Sequence, residues 1–566
     1  MAHGAILVRQ GQSDNDPEDA DSRSTWRIVG IMMALCMSVF LAALDQVLRP
    51  SFLLLKLADI YGVNQTIVST ALPVIAEDLN SASGYTWIGS AYLLGNAAAT
   101  PTWGGAAEAW GRRPVLFAAV ILFFISSLVS ALSPNIGCLI AGRAIQGIAG
   151  GGLIALPNIC VSDLFSVRKR GTYYAAFGVL WAISCAAGPV IGGALAEKVS
   201  LRWCFYINLP CSGLALVLLF FLLDIQSPPV RFKAGILELD WIGSLAVSGS
   251  TVMILMGLNF GGVTQPWDSV MVVCLIVFGV VIWALFVIFE WRHAKRPLVP
   301  LQILQNRSNV ASLLVCFTHG MVFISGVYFL PLYFQAVLGA TPILSGVYIL
   351  PYAVTFSIVA GMAGGIIQHS NRTAPSILIG VCIMILGFGL YTDFDVGSSW
   401  NKIILYQIVA GIGVGPNFQA PLISLQSLTV TEQLATATAT YSFVKTVATA
   451  VSIAVGGVIF QNRMENKIGS VMEKLSKTTI ARFSGANAMA SIGEVGSLGP
   501  TERMLVRKAF SSSLKTVWIF YTAVAGATLV ISVFVSWCTL DEAQGEVEKW
   551  ENEKKKQSSK PSGNER

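Results

Sequence analysis

Charge is scarce in this chain: Asp, Glu, Lys and Arg make up 12% of its 566 residues, against about 25% in an ordinary soluble protein. With 54% hydrophobic residues and a mean hydropathy of +0.66, the composition excludes a water-soluble enzyme. The 37 basic and 31 acidic residues leave a net charge of +6, too thin a field for nucleic acid. The four histidines and ten singly placed cysteines offer neither metal-ligand nor disulfide spacing, so no metal site is expected. Gly-x-Ser-x-Gly and His-Glu-x-x-His are absent, as is the Gly-rich phosphate loop ending in Gly-Lys-Ser/Thr. A polytopic membrane enzyme and an ATP-driven pump therefore find no machinery here, and no cofactor is expected.

What is abundant is long apolar runs. Fourteen are near the ~20 residues that cross a ~30 Å hydrocarbon core as helices: 27–46, 86–103, 114–133, 137–160, 172–196, 203–224, 240–260, 269–291, 309–337, 345–367, 374–392, 402–425, 437–460 and 516–537. The expected fold class is an all-α polytopic membrane protein. Basic residues resist translocation. They crowd the even-numbered connections (Arg112, Arg113, Arg168, Lys169, Arg170, Arg231, Lys233, Arg292, Lys295, Arg296, Arg307, Arg372), while the short odd-numbered ones hold Lys198, Arg202 and Lys402. Both termini are thus expected in the cytosol. The charged stretch 461–515 is placed outside, being long enough to escape the rule. Residues 1–26 read as a cytosolic tail without a signal peptide, and 539–566 as a solvated, disordered cytosolic tail.

The chain partly repeats itself. An offset of 264 lays Gly147-Ile148 on Gly411-Ile412, Gly151 on Gly415, Pro157 on Pro421 and Gly192-Gly193 on Gly456-Gly457; an offset of 260 lays Gly104-Gly105 on Gly364-Gly365. Two six-helix halves follow, 27–224 and 309–538, with spans 7 and 8 as an extra pair in the linker 225–308.

Ionisable residues inside the spans cost at least ~2.5 kcal/mol at the bilayer centre unless paired or hydrated, and they are Asp45, Arg143, His319 and Lys445. If spans 1 and 4 touch, Asp45 and Arg143 form an ion pair on which a proton can act, or a static pair holding two helices together. His319 among apolar neighbours reads as a packing residue or as a group titrating near neutrality. After span 2, Gly104, Gly105, Glu108, Gly111, Arg112 and Arg113 form a cytosolic turn that either latches neighbouring helix ends or only anchors the chain. In span 5, Gly188-Pro189-Val-Ile-Gly192-Gly193 gives close packing or a hinge.

Together these strings resemble the Major Facilitator Superfamily, in particular its fourteen-helix drug:proton antiporters, the type fungi use to export toxins. Gly104–Pro114 is similar to that family's cytosolic gating motif, with Glu108 where Asp is usual. Arg143-x-x-Gln146-Gly147 resembles the motif whose Arg is implicated in proton coupling. Gly188, Pro189, Gly192 and Gly193 resemble the antiporter motif, and Arg202-Trp-Cys-Phe-Tyr-Ile-Asn-Leu-Pro210 the start of span 6 in this branch. At Phe443-Val444-Lys445 the chain has Lys where the branch more often has Arg.

The family's span-1 motif, Leu-Asp-x-Thr-Ile-Val-x-x-Ala-Leu-Pro, is split. Leu44-Asp45-Gln46 precedes, and Thr66-Ile-Val-Ser-Thr-Ala-Leu-Pro73 follows only after residues 47–65. Those nineteen residues put Arg49, Pro50, Lys56 and Asp59 where span 1 should cross. Removing them restores one apolar helix, and Val47 and Gln65 suit the GT and AG ends of an intron; the segment reads as a retained intron, the alternative being a genuine insertion. Asn64 in Asn64-Gln-Thr is a glycosylation candidate that the interruption itself creates; Asn306 and Asn371 fall on cytosolic loops.

The resemblance implies a secondary transporter that exports a small organic molecule in exchange for protons, the proton gradient being its energy source. Its expected partners are substrate, protons and the lipid bilayer, with no ATP and no nucleic acid. Candidate lining residues are Gln146, Tyr328, Tyr333, Gln335, Asn417, Gln419 and Lys445, polar or amphipathic groups on apolar spans that packing or interface anchoring explains equally well. The expected location is the plasma membrane. The alternative is a vacuolar transporter of basic amino acids, which shares this branch.

Overall fold

Lipid offers no partners for backbone N–H and C=O groups, so each apolar run must satisfy its own as a helix. A computed structural model of the chain describes residues 25–62, 84–198, 202–223, 239–262, 265–292, 297–471, 475–484 and 487–558, and holds no β-strand among them. The long helices are α1 (Thr25–Gly62), α2 (Gly84–Trp110), α3 (Arg112–Ala131), α4 (Ile136–Leu164) and α5 (Val167–Lys198). They continue with α6 (Trp203–Leu222), α7 (Trp241–Phe260), α8 (Val270–Arg292), α9 (Arg307–Ala336) and α10 (Leu344–Ser370). Then come α11 (Ala374–Tyr391), α12 (Trp400–Ser427), α13 (Leu434–Gly469) and α14 (Pro500–Ser532). These fall on the fourteen expected spans. Twelve are long and apolar enough to cross a membrane on those criteria alone; α2 and α5 complete a count compatible with fourteen.

The halves pack alike. In the first, α2 packs on α4, α1 on α5 and α6, and α3 on α4 and α6; in the second, α10 packs on α12, α9 on α13 and α14, and α11 on α12 and α14. Adding eight to each number of the first set yields the second. The glycines of the repeat explain one of these pairings. A Cβ on Gly147 would collide with the Tyr92 backbone, and one on Gly411 would lie 2.9 Å from the Tyr352 carbonyl. A Cβ on Gly151 would lie 2.9 Å from the Asn96 carbonyl, and one on Gly415 3.0 Å from that of Phe356, so small residues let α2–α4 and α10–α12 pack backbone against backbone. The extra pair, α7 and α8, lies outside this core. α7 docks on α2, with the Ser248 hydroxyl donating to the Ala98 carbonyl at 2.8 Å. The most apolar window of α8 is only 17% buried, so it presents residues such as Val270 and Phe278 to lipid.

Hydropathy understates helix length at three places, because it registers only the lipid-immersed part. α1, α13 and α14 run to 38, 36 and 33 residues, beyond the ~20 that a bilayer needs. The connection over 461–515 is therefore not an open loop. α13 continues to Gly469 and α14 starts at Pro500, and the residues between include helices at Lys477–Phe483 and Asn487–Ala490 and a 3-10 turn at Ile492–Ser497 that packs on α1. The C-terminal tail also departs from expectation. Leu540–Ser558 forms α15, pinned where the Leu540 N–H donates to the Asn371 carbonyl at 2.8 Å and the Thr431 N–H to Glu551 at 2.9 Å. Residues 47–62 of the interruption continue α1, while 63–65, Asn64 among them, lie outside the described residues.

Candidate functional site

α1 and α4 do touch, and they bring Asp45 and Arg143, 98 positions apart, into one buried cluster. Arg143 Nη1 donates to Asp45 Oδ1 at 2.9 Å and Oδ2 at 3.1 Å, and to Gln146 Oε1 at 2.6 Å. Gln146 Nε2 donates to Asp45 Oδ1 at 3.2 Å and to Ser127 Oγ at 2.8 Å, and Asn208 Nδ2 reaches Asp45 Oδ1 at 3.3 Å. The guanidinium lies 4.9 Å from the Tyr92 ring centroid and 5.6 Å from that of Phe205. Such a carboxylate can exist at this depth because several donors replace its water.

Between the halves lies a cleft that is partly open to solvent. The first half contributes Val39, Leu93, Ile154, Asn158, Phe177 and Trp181; α9 contributes Gly320, Phe323 and Ile324, and the remainder comes from α12 and α13. α12 breaks here. Its first segment ends at Asn417 and its second starts at Ala420, leaving Phe418 and Gln419 at the junction, on the cleft wall. Pro416 and Pro421 flank the break, and such interruptions persist in membranes only where protein or a cavity surrounds them. On the wall from α13, Lys445 holds its ammonium 3.6 Å from the Phe418 ring centroid. Of the candidate lining residues, Gln419 and Lys445 border this cleft. Gln146 belongs to the ion-pair cluster. Tyr328 packs edge-on to Phe329, Tyr333 donates to the Asp395 carbonyl at 2.8 Å, Gln335 donates to Ser345 at 3.2 Å, and Asn417 is buried under Gly380. His319 lies 3.1 Å from the Val414 carbonyl through Nε2 and stacks on Phe323.

One end of the seam is closed by the turn between α2 and α3 and the residues around it. Gly111, at φ 90, makes the turn between α2 and α3 that a side chain would strain. Arg112 Nε then pairs with Asp163 Oδ2 at 2.7 Å on α4, and Arg113 donates to the Phe220 carbonyl at 2.8 Å on α6. Both bonds stay within the first half. Glu108 crosses to the second, accepting from the Thr436 N–H at 3.2 Å in the first turn of α13, where the helix dipole favours an anion. Gly104 abuts Ala439 so closely that a Cβ could not be added. On the opposite seam, α5 packs along α10, with Gly171 and Gly364 in backbone contact. Gly188, Pro189, Gly192 and Gly193 lie within α5.

Three site residues were not singled out from the sequence. Asp163 ends α4 and had no visible partner. Arg170, counted only as a loop charge, is 5% exposed and donates to Gln426 Oε1 of the second half at 3.2 Å. Gln426 in turn donates to Tyr174 at 3.0 Å and Thr438 at 2.9 Å. The spacing of Arg170 and Tyr174, one helical turn apart, was the available signal.

Two repeated six-helix halves, a broken helix at the cleft between them and a buried ion pair between α1 and α4 define a membrane transporter of small molecules. Residues 59–453 match the Major Facilitator Superfamily, and the chain belongs to that family. It is 46% identical over 522 residues to the efflux pump dotC of Dothistroma septosporum, covering 92% of this chain and 86% of that one. It is 43% identical over 541 residues to the MFS-type transporter ppz2 of Metarhizium majus, covering 94% and 90%. The human organic anion transporter MFSD10 shares the fold, with a TM-score of 0.54 at 16% identity over 90% of this chain and 99% of that one.

Proposed function

We propose that this multi-pass protein exports a small organic molecule across the plasma membrane in exchange for protons, by alternating access. The observation that carries the reading is the buried Asp45–Arg143 pair with its Gln146 and Asn208 donors. A proton arriving at Asp45 neutralises the carboxylate and frees the guanidinium, which has to find other partners; loss of the proton restores the pair. Because α1 and α4 both wall the cleft, a rearrangement of that pair is a rearrangement of the cleft. The contacts of Glu108 with α13 and of Arg170 with Gln426 are the ones that must part for the cytosolic side to open. Relatives described as efflux pumps support the outward direction.

Purified protein in liposomes carrying a pH-sensitive dye tests this. An imposed pH gradient is expected to drive substrate movement, with protons moving the opposite way. Movement of equal rate without the gradient refutes proton coupling. A vacuolar transporter of basic amino acids is the weaker reading, since the cleft presents the cation Lys445 and, among its described lining residues, no carboxylate. Microscopy of a tagged chain separates the two membranes.

A further inference from the structure

We propose that the cleft selects aromatic organic anions and that Lys445 is the residue that reads the negative charge; this rests on the cleft being the transport site. Arg143, buried in the first half, and Lys445, half-buried on the cleft wall of the second, are cations in different surroundings. Arg143 has its own carboxylate in Asp45 at 2.9 Å. Lys445 has an aromatic face, the Phe418 ring at 3.6 Å, and among the described residues no carboxylate or other acceptor lies within hydrogen-bonding reach of its ammonium. A ring covers one side of an ammonium and leaves N–H donors unused. An anionic group entering the cleft supplies both the missing charge and the missing acceptor.

The walls specify the rest of the molecule. Trp181 from the first half stands edge-to-face against Phe323 at 6.4 Å and against Phe418 at 6.3 Å, and Phe323 and Phe418 meet at 5.5 Å and 71°. These rings span the seam, so a flat ring laid against the cluster touches both halves at once. Offset and edge-on contacts of this kind favour aromatic over aliphatic guests of equal area.

The test uses the full chain in neutral detergent and three fluorescent probes of one skeleton: anthracene-2-carboxylate, anthracene-2-methanol and anthracene-2-methylammonium. The carboxylate is expected to bind at least about tenfold more tightly than the other two. Lys445→Gln is expected to abolish that preference, Lys445→Arg to retain it, and Trp181→Ala to weaken all three alike. Equal or tighter binding of the alcohol or the ammonium, an unchanged preference in Lys445→Gln, or binding of none of the probes by folded protein overturns the proposal. No gradient enters this measurement. An intact anion preference without gradient-driven transport would therefore refute the coupling reading alone, and gradient-driven transport with a preference for cations would refute this one alone.

Discussion

Asp45 and Arg143 can be separated into a stability role and a coupling role by neutralising them singly and together. The side chains are 4% and 1% exposed. At an effective dielectric of about 20 and charge centres about 4 Å apart, their attraction is about 4 kcal/mol. Removing one partner of such a pair leaves a buried charge and costs about 3–5 kcal/mol. Asp45→Ala is therefore expected to lower thermal stability in detergent markedly, and Asp45→Asn, which leaves Arg143 facing an amide, by a smaller amount. Removing both charges is expected to cost far less than either alone, because it leaves no uncompensated buried charge and two facing amides can hydrogen-bond to each other. The double variant Asp45→Asn/Arg143→Gln should thus unfold close to the wild-type temperature while losing gradient-driven efflux, since nothing is left for the proton to switch. The paired assays are thermal unfolding and dye-reported proton exchange in liposomes. A double variant that is stable and still couples efflux to the gradient would refute the coupling role; one as unstable as Asp45→Ala would refute the energetic argument.

Three further outcomes follow. Arg112 and Asp163 are about one quarter exposed, so breaking the pair is expected to cost about 1 kcal/mol or less but to raise labelling of a cysteine placed on the cytosolic side of the cleft; the exchange Arg112→Asp/Asp163→Arg should restore the low rate. In the folded cap that the residues between α13 and α14 form, burial holds the Glu494 carboxyl above its ordinary range even though Arg482 Nη1 lies 2.7 Å away. The folded cap then holds that proton more tightly than the unfolded chain, so its contribution is complete below the ordinary carboxylate range and is lost as pH rises through the raised value; proteolysis between 470 and 499 should increase over that window and flatten in Glu494→Gln. Finally, α1 has 38 residues, about 57 Å at 1.5 Å per residue, and the family match begins only at residue 59. Sequencing the transcript across codons 40–75 is expected to find codons 47–65 absent, which would restore the split motif; their presence in every transcript would show that the extended α1 is native.

The places of the long helices and the internal repeat could be read from the residues because both are local properties. An apolar run in lipid has to become a helix wherever it later packs, and glycines at matching offsets mark where backbones must approach, as Gly147 and Gly411 do. The strings Gly104–Pro114 and Arg143–Gly147 were visible for the same reason, as short motifs. Polar residues on apolar spans carried no such information. Tyr333, Gln335, Asn417 and Lys445 look alike along the chain, and only the packing of α9, α12 and α13 set Lys445 on the cleft wall and turned Tyr333 to the Asp395 carbonyl. Arg170 reads as one more loop charge until α5 meets α12. The helical extensions past the bilayer and α15 escaped a hydropathy reading because they are polar and held by partners distant in sequence. Which span lies where is thus settled by each segment's transfer to lipid. Which side chains meet is settled by contacts between segments, and those depend on the tertiary arrangement alone.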